Sequence, residues 1–90
     1  MVLEFDPAKD RQNVRKHGIS LARFADMDES SWLQARDDRD YGGEVRWIIY
    51  GLIKSTLYCA VITYRAETHR IISLRRANRR ERKLYEEAEA

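Results

Sequence analysis

Cysteine, proline and histidine are almost missing from this sequence: its 90 residues hold one Cys, one Pro and two His. Cys59 alone rules out an internal disulfide framework and cannot build a cysteine-based zinc cluster. A reducing cytoplasm is the expected compartment. No stretch approaches the ~18 consecutive apolar residues of a membrane span. The N-terminus runs straight into charge instead of a signal-peptide apolar segment, so neither membrane attachment nor export is expected. His17 and His69, far apart in the chain, make a poor metal site, and the phosphate-loop and dinucleotide glycine patterns are absent. No metal and no cofactor are expected. The length suits one domain over residues 1–90, with room for one active surface.

Charge is abundant, and its placement says more than its sum. The net charge is +2. Residues 26–44 carry Asp26, Asp28, Glu29, Asp37, Asp38, Asp40 and Glu44 against Arg36 and Arg39, a local balance of minus five. Residues 65–83 carry Arg65, Arg70, Arg75, Arg76, Arg79, Arg80, Arg82 and Lys83 against Glu67 and Glu81, a balance of plus six. Such a cluster favours a polyanionic partner through counterion release. Its arginine bias favours phosphate, which the planar guanidinium fork fits. The same cluster is also compatible with a solvated strand and helix.

Residues 2–5 alternate like a short strand. Asp6-Pro7 then caps and starts a helix running to about His17, where Gly18 supplies the stop. That helix is polar on most sides and is expected on the surface. Ser20 caps a shorter helix whose Leu21, Phe24 and Ala25 form one apolar face. Strands are predicted over residues 31–36, 45–53, 57–65 and 68–76, the last three joined by short turns into an antiparallel meander. Asn78 and Glu81 form a capping-box-like start to a final helix. The expected class is α+β, an antiparallel sheet packed by two N-terminal helices and one C-terminal helix. Strict alternation in the last strand places Ile71, Ser73 and Arg75 on one side and Arg70, Ile72, Leu74 and Arg76 on the other. Cys59 lies in an apolar run and reads as a buried, inert thiol.

Three stretches together resemble one family. They are Asp6-Pro7-Ala8-Lys9 with Asn13 and Lys16-His17-Gly18-Ile19-Ser20; Tyr41-Gly42 with Glu44, Arg46 and Gly51; and Arg70-Ile71-Ile72-Ser73 with Arg75, Ala77, Arg80-Glu81-Arg82 and Tyr85. In this order they look like the BrnT toxins of bacterial type II toxin–antitoxin systems. The resemblance implies a RelE-like fold, a ribonuclease activity that halts translation, and neutralisation by a BrnA-type antitoxin that binds operator DNA through a ribbon-helix-helix domain. A metal-free ribonuclease needs a base, an acid and cations for the charge developing on phosphate. Arg46, Arg65, Arg70 and Arg75 are the candidates for that cationic role. His17 and Glu44, which match family positions and titrate, are the candidate base and acid, with Tyr85 a further possibility. Lys16, Arg76, Arg79, Arg80, Arg82, Lys83 and Tyr85 are expected to guide RNA. The rival reading is a non-catalytic module that binds nucleic acid or sits in an antitoxin complex. Turnover separates the two, and a pure interaction subunit would lack RNA affinity that falls with salt.

Overall fold

The structure, a computed structural model, describes residues 2–89. Five strands form one sheet in the order β1-β5-β4-β3-β2, with β1 at Val2–Glu4, β2 at Leu33–Asp37, β3 at Arg46–Ile53, β4 at Thr56–Arg65 and β5 at Thr68–Arg76. The meander β2 to β5 is antiparallel, as the short links require. β1 runs parallel to β5, so the sheet is mixed and not antiparallel throughout. A three-residue strand carries too little pattern to reveal its partner, and the intervening helices allow the crossover that a parallel pairing needs. β2 starts two residues later than expected, because Ser31 closes a short 3-10 turn over Glu29–Ser31.

Helix α1 spans Pro7–His17. Asp6 accepts from the Ala8 N–H at 2.9 Å, Pro7 occupies the first turn, and Gly18 closes the helix at φ 72°, in the left-handed region that favours glycine. The second expected helix is a 3-10 helix, Leu21–Asp26, capped by Ser20. Asp10 of α1 accepts from the Ser20 hydroxyl at 2.9 Å and the Leu21 N–H at 2.7 Å, fixing the angle between the two helices. The tighter helix still turns Leu21 and Phe24 inward. Helix α2 spans Arg79–Glu89 and has no buried residue. Among the described residues no helix is long and apolar enough to cross a membrane.

The core lies on one face of the sheet. Leu21, Phe24, Ile49, Ile62, Ile71 and Leu74 are the largest side chains fully removed from solvent. Each contributes ~1.5–3 kcal/mol by burial. Gly51 marks a close approach in β3: a Cβ there would sit 2.5 Å from Met27 Sδ and 3.0 Å from Trp32 Cδ1.

The contact that seats α1 is a single carboxamide. β1 pairs only with residues 68–70, so the rest of β5 has no strand neighbour on that side. Asn13, buried at 6% exposure, fills the gap. Its Nδ2 donates to Leu74 O at 2.7 Å and Ile19 O at 2.8 Å, and its Oδ1 accepts from Leu74 N at 3.2 Å. The side chain thus supplies what a sixth strand would have supplied. Asn13→Ala is expected to cost about 2–4 kcal/mol, since it strands buried backbone groups. Urea denaturation reads this as a lower midpoint, and a shift equivalent to less than about 0.5 kcal/mol would mean that water replaces the amide.

Candidate functional site

The second face of the sheet carries the polar chemistry, and a bulge in β5 puts it there. Val61 pairs with Ser73 but Ile62 pairs with Ile71, so Ile72 is an extra residue. The bulge overturns strict alternation. Ile71 and Leu74 both enter the core. Arg70, Ser73 and Arg75 come to one face, opposite Thr63, Val61 and Cys59 of β4. Arginines that simple counting assigned to opposite sides therefore share one surface.

At one end of this surface the Glu81 carboxylate of α2 gathers four donors. Oε1 accepts from Arg75 Nη1 at 2.7 Å and Asn78 N at 2.9 Å; Oε2 accepts from Arg75 Nη2 at 2.9 Å and the Tyr50 hydroxyl at 3.1 Å. The forked pair with Arg75, then the backbone bond, pull the Glu81 carboxyl down to about 2 against the cost of burial. Arg75 is held above its ordinary value by the same pair. Its Nη1 also donates to Arg76 O at 3.2 Å, which leaves Nε–H and one Nη2–H for a ligand. Burial pushes the Tyr50 hydroxyl and the Cys59 thiol upward, so both stay protonated at neutral pH. His17, at the end of α1, has its imidazole lowered by burial first and then by the charges of Lys16 and Arg75. It is a neutral base at the rim.

The other end lies four residues away along β3, about 13 Å at the usual strand rise. There Arg46 lies 3.9 Å over the Tyr41 ring, with its Nε buried and unpartnered, and Glu44 is 3.9 Å from its Nη2. Tyr41 donates to Asp37 at 2.7 Å; Arg39 bonds the same carboxylate through Nε and Nη2. These bonds, Arg39 first, hold Asp37 well below the usual carboxylate range. Arg70 pairs with Glu4 at 3.3 Å, and Arg65 is exposed at the end of β4.

The remaining residues expected to touch RNA divide by location. Lys16 and His17 line a small cleft with Lys9, Ile72 and Ser73, beside the bulge. Arg76, Arg79, Arg80 and Lys83 are exposed at the end of β5 and on α2. Arg82 donates to Ala77 O at 2.9 Å, and Tyr85 donates its hydroxyl to Ser31 O, so these two help dock α2. The site gains Glu81, Tyr50 and Asp37, which sequence reasoning did not place there. Glu81 was legible as a helix cap, through Asn78 three residues before it, and as part of the Arg80-Glu81-Arg82 run of the family resemblance, but not as the partner of Arg75.

Residues 5–81 match the family model for BrnT, the ribonuclease toxin of a type II toxin–antitoxin system. The chain belongs to the BrnT family. Membership brings a ribonuclease activity, an RNA target and an antitoxin partner. A comparison with curated proteins finds no match. In this BrnT-family chain no group of three or more His, Cys, Asp or Glu is placed to hold a metal ion among the described residues.

The Glu81 cluster has a measurable pH signature. A carboxyl lowered from 4.5 to about 2 on folding adds stability that is complete above pH 4.5 and is lost as pH falls through about 2. Glu81→Gln is expected to cost about 1–2 kcal/mol at pH 7, allowing for the water that reaches Arg75. The wild-type advantage should shrink below pH 4.5 and vanish near 2. Urea melts across that range check it, and a gap independent of pH would dismiss the ionised pair as its source.

Proposed function

We propose that this chain is a metal-independent endoribonuclease of RelE-like fold, acting in the cytoplasm to stop translation. Its inhibitor on this reading is a BrnA-like ribbon-helix-helix antitoxin that also binds operator DNA. The observation that carries the catalytic reading is the bulge at Ile72, which gathers Arg70 and Arg75 on the face that His17 borders. His17, neutral at pH 7, takes the proton of a 2′-hydroxyl. The oxygen attacks the adjacent phosphorus, and the free N–H groups of Arg75 meet the charge that builds on the phosphoryl oxygens. The bond to the 5′-oxygen breaks, and that oxygen takes a proton from water, leaving a 2′,3′-cyclic phosphate. Arg46, Arg65 and Arg70 hold neighbouring phosphates, and Glu44, the expected acid, stands beside Arg46 at the opposite end of the face from Arg75, so on this reading water supplies the proton. Lys16, Arg76, Arg79, Arg80 and Lys83 draw in the backbone over a longer range.

One observation favours the rival, non-catalytic reading: Arg75 already gives three of its N–H groups to protein acceptors. Turnover decides. Purified protein should cut RNA in excess chelator, leaving cyclic phosphate ends. Arg75→Ala should slow cleavage about 10²–10³-fold, the usual loss for one donor to a transition-state oxyanion. Intact RNA with wild type, or unchanged cleavage in Arg75→Ala, would sink the proposal.

The base assignment predicts a pH profile. Because His17 titrates below 6.5, the single-turnover rate should climb through acid pH and level off before neutrality. Lys16→Ala removes one lowering charge and should move that limb to higher pH. His17→Ala should remove the limb, and its persistence would exclude His17 as the base.

A further inference from the structure

A well-formed cavity lies outside the Arg75 cluster. It is a cleft of about 430 Å³ at the far end of the sheet, lined by Glu44, Val45, Trp47, Tyr64 and Arg65 among others. That volume falls in the ~300–1,000 Å³ range of small-ligand sites. We infer that this cleft is a guanine-selective base pocket for single-stranded RNA, built from Trp47, Tyr64, Arg65 and Glu44. The inference rests on the ribonuclease reading above and adds sequence preference to it.

Three features converge. The first is an aromatic wall. Tyr64 is edge-on to Trp47 at 6.4 Å and to His69 at 4.6 Å, with interplanar angles of 68° and 70°. Neither ring lies parallel to it, and 40% of Tyr64 remains exposed. A tyrosine braced by rings yet open to solvent suits a stacked base. The second is charge order. Arg65 lines the same cleft, and Arg46 stands 3.9 Å from Glu44, so two cations flank the one carboxylate that would otherwise repel RNA. The third is the carboxylate itself. Unlike Asp37 and Glu81, whose oxygens are taken up by close donors, Glu44 has among the described residues only the 3.9 Å contact with Arg46. Its two oxygens are free to accept.

The chemistry of the four bases then selects among them. Guanine presents two parallel donors, N1–H and an N2 amino hydrogen, on its pairing edge, and they match a carboxylate fork. Adenine and cytosine each put one amino donor beside a ring acceptor, which would face Glu44 repulsively. Uracil puts one N–H between two carbonyls. A bidentate match of this kind gives about tenfold or greater discrimination against the wrong base. Glutamine, with one acceptor and one donor, would instead match the amino donor and ring acceptor of adenine or cytosine.

The test uses the full-length chain with Trp32→Phe, which leaves Trp47 as its sole tryptophan. Titration with the four nucleoside 5′-monophosphates should quench Trp47 fluorescence, with the dissociation constant for GMP about tenfold or more below the other three. Sequenced cleavage ends from a random RNA pool should show guanine enriched at one position beside the cut. In Glu44→Gln the guanine preference should be lost in both the nucleotide titration and the residual cleavage ends, with adenine and cytosine gaining. Equal affinity for all four nucleotides, or an unchanged guanine preference in Glu44→Gln, overturns the proposal. The ribonuclease reading fails separately. If wild type cuts no RNA, the GMP titration and its Glu44→Gln counterpart still decide the pocket. Arg75→Ala should slow cleavage about 10²–10³-fold while leaving GMP binding in place. Should Trp32→Phe destabilise the fold, the same titration read by calorimetry on wild type and Tyr64→Ala replaces the fluorescence measurement.

Discussion

One extra residue in β5 decides which side of the sheet is chemical and which is structural. Without Ile72 as a bulge, either Ile71 or Leu74 would be turned out of the core, and both are almost wholly buried. Keeping the second large aliphatic side chain buried is worth about 1.5–3 kcal/mol. That gain outweighs the disturbed ladder, so hydrophobic packing sets the phase of the strand and the arginines follow. Asn13 reinforces the arrangement from outside by bonding the backbone of Leu74, two residues past the bulge.

The acidic residues serve the arginines more than they oppose them. Glu4, Asp37 and Glu81 come from β1, β2 and α2, and each engages an arginine, respectively Arg70, Arg39 and Arg75. Pairing fixes side chains that are otherwise costly to order, and a fixed guanidinium keeps its remaining donors aimed. Much of the acidic middle segment is used locally as well. Asp28 caps a 3-10 turn, Asp26 pairs with Arg23, and Asp40 accepts from Gly42 N. The apparent split of the chain into a basic and an acidic half therefore overstates the charge separation on its surface.

Much of the fold was legible because it rests on local signals. Asp6-Pro7 and Gly18 bracket α1, the hairpin turns bracket β3 to β5, and the apolar spacing of Leu21 and Phe24 points inward whether the helix is α or 3-10. What escaped depends on long-range contact. The parallel partner of β1 is set 64 residues or more away. The bulge is set by which of two isoleucines the core accepts, since Ile71-Ile72 looks the same to either phase. For the same reason the arginines were readable as residue types but not as a common surface. Asn13 carries no local hint of its task, because its partner on β5 is 61 residues distant.

Helix α2 buries none of its residues, and its described hydrogen bonds to the rest of the chain run from Glu81 to Arg75 and Tyr50 on the sheet, from Tyr85 to Ser31 in the 3-10 turn, and from Arg82 to Ala77 at its base. A segment held this way opens with far less free energy than the core beneath it, as a local unit in hydrogen exchange. Its amides are thus set to exchange on a timescale separate from that of β4 and β5. Because Glu81 rides on it, each opening also releases the guanidinium of Arg75. The order of the site and the closure of the helix are then one equilibrium, and anything that grips α2 acts on both.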